Sequence, residues 1–203
     1  MTDFNKQEDR DAAWQHAMEE QPLVVIGSPM CTMFSTLQNL SPWHEEKNNK
    51  WLEAREHLKF VAALYKYQID NGRIFLHEHP ASASSWMLKE IQEIAEMSGV
   101  VVTRADLCMY GLRTWSKESK EFAPAKKTMK FMTNSPYLAS ALSRRCDGSH
   151  THQALLEGRS ASLAAQYTQE LCREICRAIV KERQARRGHT RALMSFYSEV
   201  SYH

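Results

Sequence analysis

Two stretches decide how this chain reads: Leu23-Val24-Val25-Ile26, followed by Ser28-Pro29-Met30-Cys31-Thr32-Met33-Phe34-Ser35, and Phe75-Leu76-His77-Glu78-His79-Pro80. Each begins as a short apolar run of strand length. The first run is unbroken, which predicts a strand buried on both faces. Each run then delivers a reactive side chain where the strand ends, first the thiol of Cys31 and then the carboxylate of Glu78. Ligands of an open α/β sheet collect in the crevice beyond the carboxyl ends of its strands. A cysteine and a glutamate brought to one such edge would form a nucleophile and acid pair.

The chain around these stretches alternates strand and helix patterns. Residues 6–20 are charged, with Ala12, Ala13, Trp14 and Ala17 interleaved, and read as a helix that Pro22 stops. Ser41-Pro42 reads as a cap with proline at the first helical position. It would open a long helix to residue 70, with Leu52, His57, Phe60, Ala63, Leu64 and Tyr67 as its stripe and Asn71-Gly72 as its end. A strand over 73–77, a helix over 84–98 stopped by Gly99, and a strand over 100–103 follow. Residues 128–133 alternate as a half-exposed strand, residues 136–145 as a short helix, and residues 161–187 as a last long helix after a polar loop. The predicted fold is α/β: an open, mostly parallel, Rossmann-like sheet flanked by helices, with right-handed crossovers. Residues 1–187 read as a single partial domain and residues 188–203 as a loosely ordered tail.

Composition narrows the class. The chain has 203 residues, 43% of them hydrophobic, enough for one core. A formal charge of +2 does not mark a strongly basic nucleic-acid binder. Arg173, Arg177, Lys181, Arg183, Arg186, Arg187 and Arg191 crowd one stretch, either as a solvated helix end or as a phosphate-contacting one. No segment has signal-peptide character or approaches the ~20 apolar residues that span a bilayer. The five cysteines are irregularly spaced and read as reduced thiols. An intracellular protein without a membrane partner is expected.

The two stretches together resemble the DNA cytosine-5 methyltransferases. That family places a Pro-Pro-Cys turn after its fourth strand, followed by Phe-Ser, and Glu-Asn-Val after its fifth. The counterparts here are Pro29-Met30-Cys31 with Phe34-Ser35, and Glu78-His79-Pro80, in the same order and with a long helix between. Tyr110-Gly111 with Lys126-Lys127-Thr128 is similar to the region preceding the seventh strand, and Ala164-Ala165-Gln166-Tyr167 to the closing motif. A divergent branch with Cys-Thr-x-Phe-Ser and Glu-His-Pro, associated with phage-like and mobile-element contexts, is closer still.

The resemblance implies a chemistry. In the family a cysteine thiolate adds to the ring carbon beside position 5 of cytosine, turning the ring into an enamine. A glutamate protonates or hydrogen-bonds the ring nitrogen, and a methyl group passes from S-adenosylmethionine to the base, which is flipped out of DNA. Cys31 would be the nucleophile and Glu78 the acid. Ser28 and Pro29 would lie on the cofactor side, and Ser35, His79, Lys126 and Lys127 on the nucleic-acid side. The departures are Met30 beside the thiol, His79-Pro80 in place of Asn-Val, and the lack of a Gly-rich cofactor turn upstream of Leu23 in a chain with seven glycines. The sequence is thus expected to carry the catalytic half of such an enzyme without its cofactor half, as a fragment or as a repurposed, inactive nucleic-acid-binding or interaction module.

Other residues admit plainer readings. Cys146-x3-His150-x-His152, with Cys108 available elsewhere, offers four zinc-type ligands, though the spacing is not that of a common finger and polar loops often hold unliganded histidines. Cys172 and Cys176, one helical turn apart, read as packing residues rather than ligands. Trp43, Trp51, Tyr65 and Tyr67 could stack bases, but a helix of that length must bury a stripe.

Overall fold

The computed structural model describes residues 3–116, 120–153 and 164–200, with side chains as far as Gly188. Its elements are α1 (Gln7–Glu20), β1 (Val24–Gly27), α2 (Glu45–Asp70), β2 (Ile74–Pro80), α3 (Lys89–Ala95), β3 (Val101–Asp106), β4 (Arg113–Trp115), β5 (Phe122–Pro124), β6 (Thr128–Thr133), α4 (Pro136–Ala141) and α5 (Gln169–Val200). The fold is α/β. One sheet has the order β1-β2-β6-β3, and β4 and β5 form a separate hairpin.

The sheet is mixed. β1 and β2 are parallel, while β6 pairs antiparallel with both β2 and β3. β1, β2 and β3 therefore run one way, with β6 inserted between the last two in the opposite sense. The connection explains the reversal. A parallel successor to β3 would need a helical crossover back to the other edge. Instead the chain makes a 3-10 turn over Leu107–Tyr110 and the β4–β5 hairpin, so it re-enters the sheet from the edge at which it left.

This arrangement corrects three expectations. β1 is not buried on both faces: among the described residues it pairs only with β2, and Ile26 is 47% exposed. β6 is not half-exposed but central, with Met129, Phe131, Met132 and Thr133 buried. The long helix starts at Glu45 with His44 as its cap, because the His44 ring accepts from the Lys47 N–H. Ser41 instead accepts from the Lys47 ammonium.

Alternation along β2 divides the core into two layers. Ile74 and Leu76 face a cluster with Phe131, Leu138, Leu171 and Ile175, beneath α4 and α5. Phe75 faces a cluster with Phe34, Leu58, Tyr65, Trp86 and Ile91, beneath α2 and α3. The last helix begins at Gln169 and continues through residues 188–200, where a loose tail was expected. Arginine, alanine and leucine are strong helix formers, and a lone interior glycine such as Gly188 costs only about 1 kcal/mol. Residues 161–163, the expected start of that helix, lie outside the described residues. Among the described residues no helix is long and apolar enough to cross a membrane.

Candidate functional site

β1 and β2 are parallel neighbours, with Gly27 opposite His77 in the register, so the chain leaves β1 beside the carboxyl-terminal part of β2. β2 runs three residues further than the sequence pattern suggests, through Glu78 and His79 to Pro80. Glu78 is therefore a strand residue, held by ladder pairing to Phe131 rather than by a loop. The turn Ser28-Pro29-Met30-Cys31 follows β1 and passes into a 3-10 turn, Thr32–Phe34. Phe34, 1% exposed, anchors that turn in the core under α2 and α3.

Two contacts fasten this turn to β2. The Ser28 hydroxyl donates a short hydrogen bond to Glu78 Oε2. His79 Nε2 lies 2.9 Å from the Pro29 carbonyl oxygen, which can only accept, so the proton sits on Nε2. The Ser85 hydroxyl, 2.6 Å away, must then donate to His79 Nδ1. Burial holds His79 down to about 4, partly opposed by the Pro29 carbonyl. His79 is thus a neutral brace inside the protein, with both nitrogens engaged. His77, on the same face of β2, pairs through Nδ1 with the Tyr65 hydroxyl at 3.0 Å, and burial keeps it neutral too.

Glu78 points to the opposite face. It is buried, and its Oε2 accepts a second hydrogen bond from the Tyr167 hydroxyl at 3.2 Å. Burial and the adjacent Glu78 carboxylate raise Tyr167 far above the ordinary phenol range, so it stays a donor. Cys31 is half-buried in the turn above. The thiol turn and the carboxylate strand therefore meet at one sheet edge, linked through Ser28–Glu78 and Pro29–His79. In the sequence Tyr167 stands out only as part of the closing motif Ala164-Ala165-Gln166-Tyr167. Its one local signal as a site residue is an aromatic side chain just ahead of a long helix.

The remaining residues are placed as follows. Ser35 caps a short 3-10 turn through its hydroxyl, which accepts from the Leu37 N–H. The Lys127 ammonium donates to the Ala164 carbonyl at 2.8 Å, tying the approach to α5 onto the start of β6. Lys126 is exposed. Cys172 and Cys176 are exposed on α5, so they are not packing residues.

S-adenosylmethionine does not fit the residues at the β1 end. The Ser28 hydroxyl is spent on Glu78, and Pro29 is buried with its carbonyl taken. Gly27 offers no cradle, because a Cβ added there would fall 1.8 Å from the Tyr65 hydroxyl. That glycine makes room for Tyr65 rather than for a ligand.

A second cluster lies beyond β3, which ends at the same edge as β1 and β2. Cys108 in the 3-10 turn after β3 meets Cys146, His150 and His152 of the loop after α4, and their ligand atoms all lie within 4.8 Å of one another. Cys146 Sγ is 3.7 Å from His150 Nε2 and 3.3 Å from His152 Nε2. This group can hold a metal ion. Burial and the neighbouring Cys146 thiol push the Cys108 thiol up to about 11. Asp106, which sequence reasoning passed over, is 1% exposed at the end of β3 and accepts from the Cys146 N–H at 2.9 Å, the Arg145 guanidinium at 2.9 Å and the Thr128 hydroxyl at 2.5 Å. No known protein family, curated protein or solved structure matches this chain, so the two constellations stand on their own geometry.

Proposed function

We propose that this chain is a DNA cytosine-5 methyltransferase-like module whose Cys31–Glu78 edge receives a cytosine. The observation that supports this most is the buried carboxylate of Glu78, fixed by Ser28 of the same turn that carries Cys31. Both hydroxyl contacts fall on Oε2, which leaves Oε1 for the Watson–Crick edge of a base. The Cys31 thiolate would attack carbon 6 of the ring. As the sulfur–carbon bond forms, the carbon 5–carbon 6 double bond opens, and Glu78 Oε1 relays a proton taken from water to nitrogen 3. The product is a neutral enamine, nucleophilic at carbon 5.

Because Ser28, Pro29 and Gly27 at the β1 end do not fit a methyl donor, the reading stops at the enamine. The enamine can still take a proton from water at carbon 5 and lose the original one to water; as the thiolate leaves, the nitrogen 3 proton returns to Glu78 and cytosine is restored. The expected result is release of label from DNA carrying cytosine tritiated at carbon 5, without cofactor. Cys31→Ser abolishes it, and Glu78→Gln lowers it about 10²- to 10⁴-fold, the usual contribution of a positioned acid. Calorimetric titration with S-adenosylmethionine is expected to show no binding.

A second reading is favoured by the same pair of contacts. A carboxylate clamped by two hydroxyls also serves as a purely structural anchor, and the protein would then bind nucleic acid without turnover. Salt-dependent DNA binding with no label release supports that reading. Absence of both binding and release refutes the two together.

A further inference from the structure

We propose that Cys108, Cys146, His150 and His152 bind one Zn²⁺ in a closed tetrahedral site that fastens the loop after α4 to the turn after β3. This inference is independent of the base chemistry above. Zinc–sulfur bonds of about 2.3 Å and zinc–nitrogen bonds of about 2.0–2.1 Å at tetrahedral angles put sulfur and nitrogen about 3.6 Å apart. The two sulfur–nitrogen separations from Cys146, 3.7 and 3.3 Å, bracket that value. The His150 and His152 rings stand edge to face at 73° with centroids 4.7 Å apart, and the Nε2 atoms of both lie beside Cys146 Sγ. Two thiolates and two imidazoles in a tetrahedral set suit zinc and not a hard, oxygen-seeking cation. All four positions are filled by protein, which marks a structural rather than a catalytic site.

The surroundings are built to the same end. The Gly148 N–H donates to Cys146 Sγ at 3.5 Å, in the way outer contacts steady a metal-bound thiolate. Gly148 does so at φ +78, a left-handed conformation that glycine adopts freely. Asp106 holds the Cys146 backbone from below. At the other end of the loop, the Gln153 N–H donates to the Pro124 carbonyl at 2.8 Å. One end of the ligand loop is therefore pinned to β3 and the other to β5 before any metal arrives.

The site also reaches the crevice. Cys108 shares its 3-10 turn with Tyr110. The Tyr110 carbonyl accepts from the Thr168 hydroxyl at 2.5 Å, next to the Tyr167 that donates to Glu78. A metal that fixes this turn therefore steadies the segment presenting Tyr167.

The test uses the full chain. Elemental analysis of protein purified without chelator is expected to give one zinc per chain. Cobalt added after zinc removal is expected to bind one-to-one, with the intense visible bands of tetrahedral geometry and near-ultraviolet thiolate-to-cobalt charge transfer. Cys108→Ser and Cys146→Ser should each reduce the charge-transfer band and weaken binding about a hundredfold or more. The double variant Cys172→Ser, Cys176→Ser should match the parent. Alkylation of the unmutated chain covers the case in which a ligand variant fails to fold. Zinc should shield Cys108 and Cys146 while Cys172 and Cys176 react with and without metal. A folded, metal-free chain that binds no stoichiometric cobalt overturns the proposal. So does a weak octahedral cobalt spectrum, binding that survives both cysteine substitutions, or equal alkylation of Cys108 and Cys146 in zinc-loaded and chelated protein.

Discussion

Mild acidification should destabilise this protein through His79. The folded state holds His79 at about 4, against an ordinary 6.5, because burial penalises the imidazolium more than the Pro29 carbonyl favours it. Above the unfolded value both states are neutral and the full stability is present. Between the two values the unfolded chain takes up a proton that the folded chain refuses, so stability falls with pH. Integration gives a loss of about 2 kcal/mol between pH 7 and pH 5, and about 3 kcal/mol by pH 4. His77 and His57, both lowered by burial, act in the same direction. The lowered carboxylates Asp106 and Glu174 also lose stability on acidification, but chiefly below the histidine window. The assay is urea unfolding at half-unit steps from pH 7.5 to pH 4.5, on the parent and on His79→Gln. The parent's curve should fall more steeply, the two diverging by about 2 kcal/mol at pH 5 beyond any offset at pH 7. Parallel curves for parent and variant would refute the placement of a neutral, buried His79 against the Pro29 carbonyl.

Other perturbations probe the same architecture. Gly27→Ala drives a methyl group to within 1.8 Å of the Tyr65 hydroxyl and should cost about 1–3 kcal/mol by overpacking, read as a lowered Tm. Ser135→Ala removes the cap of α4, whose hydroxyl accepts from the Leu138 N–H and donates to the buried Glu182; a loss of about 1–2 kcal/mol in denaturant titration is expected. Asp106→Asn unseats the Cys146 backbone and should weaken cobalt affinity about 10- to 100-fold in competition titrations while leaving one site per chain. An affinity unchanged by that substitution would show that the ligand loop needs no support from β3.

Much of the site was legible where chemistry is local. Cys31 lies a short turn past one apolar run, and Glu78 directly follows the strand expected over 73–77, so a strand reading of each places both near a sheet edge. Cys146, His150 and His152 share one short loop and are ligand types for zinc, but their spacing is not that of a common finger, so the sequence left the metal reading open. Their partner Cys108 is an isolated cysteine whose role depends on where β3 ends. His79 had looked like a group facing nucleic acid. Its alternate position on β2 turns it inward, because the strand continues past Glu78 and fixes which face each side chain takes. Tyr167 carries no pattern of its own and reaches Glu78 only once α5 packs beneath the sheet.

By itself the sequence determined the number and kind of most elements, the long helix between the two motif stretches, and the identity of the reactive side chains. Each follows from periodicity, caps and residue chemistry within a few positions of the chain. The tertiary structure alone decided that β6 enters antiparallel between β2 and β3, that β1 is an edge among the described residues, and that a turn and a distant loop converge as a four-ligand cluster. Strand pairing and ligand convergence join segments far apart in the chain. The backbone hydrogen bonds that set a strand's direction are the same for any sequence of that pattern, so neighbours along the chain carry no record of them.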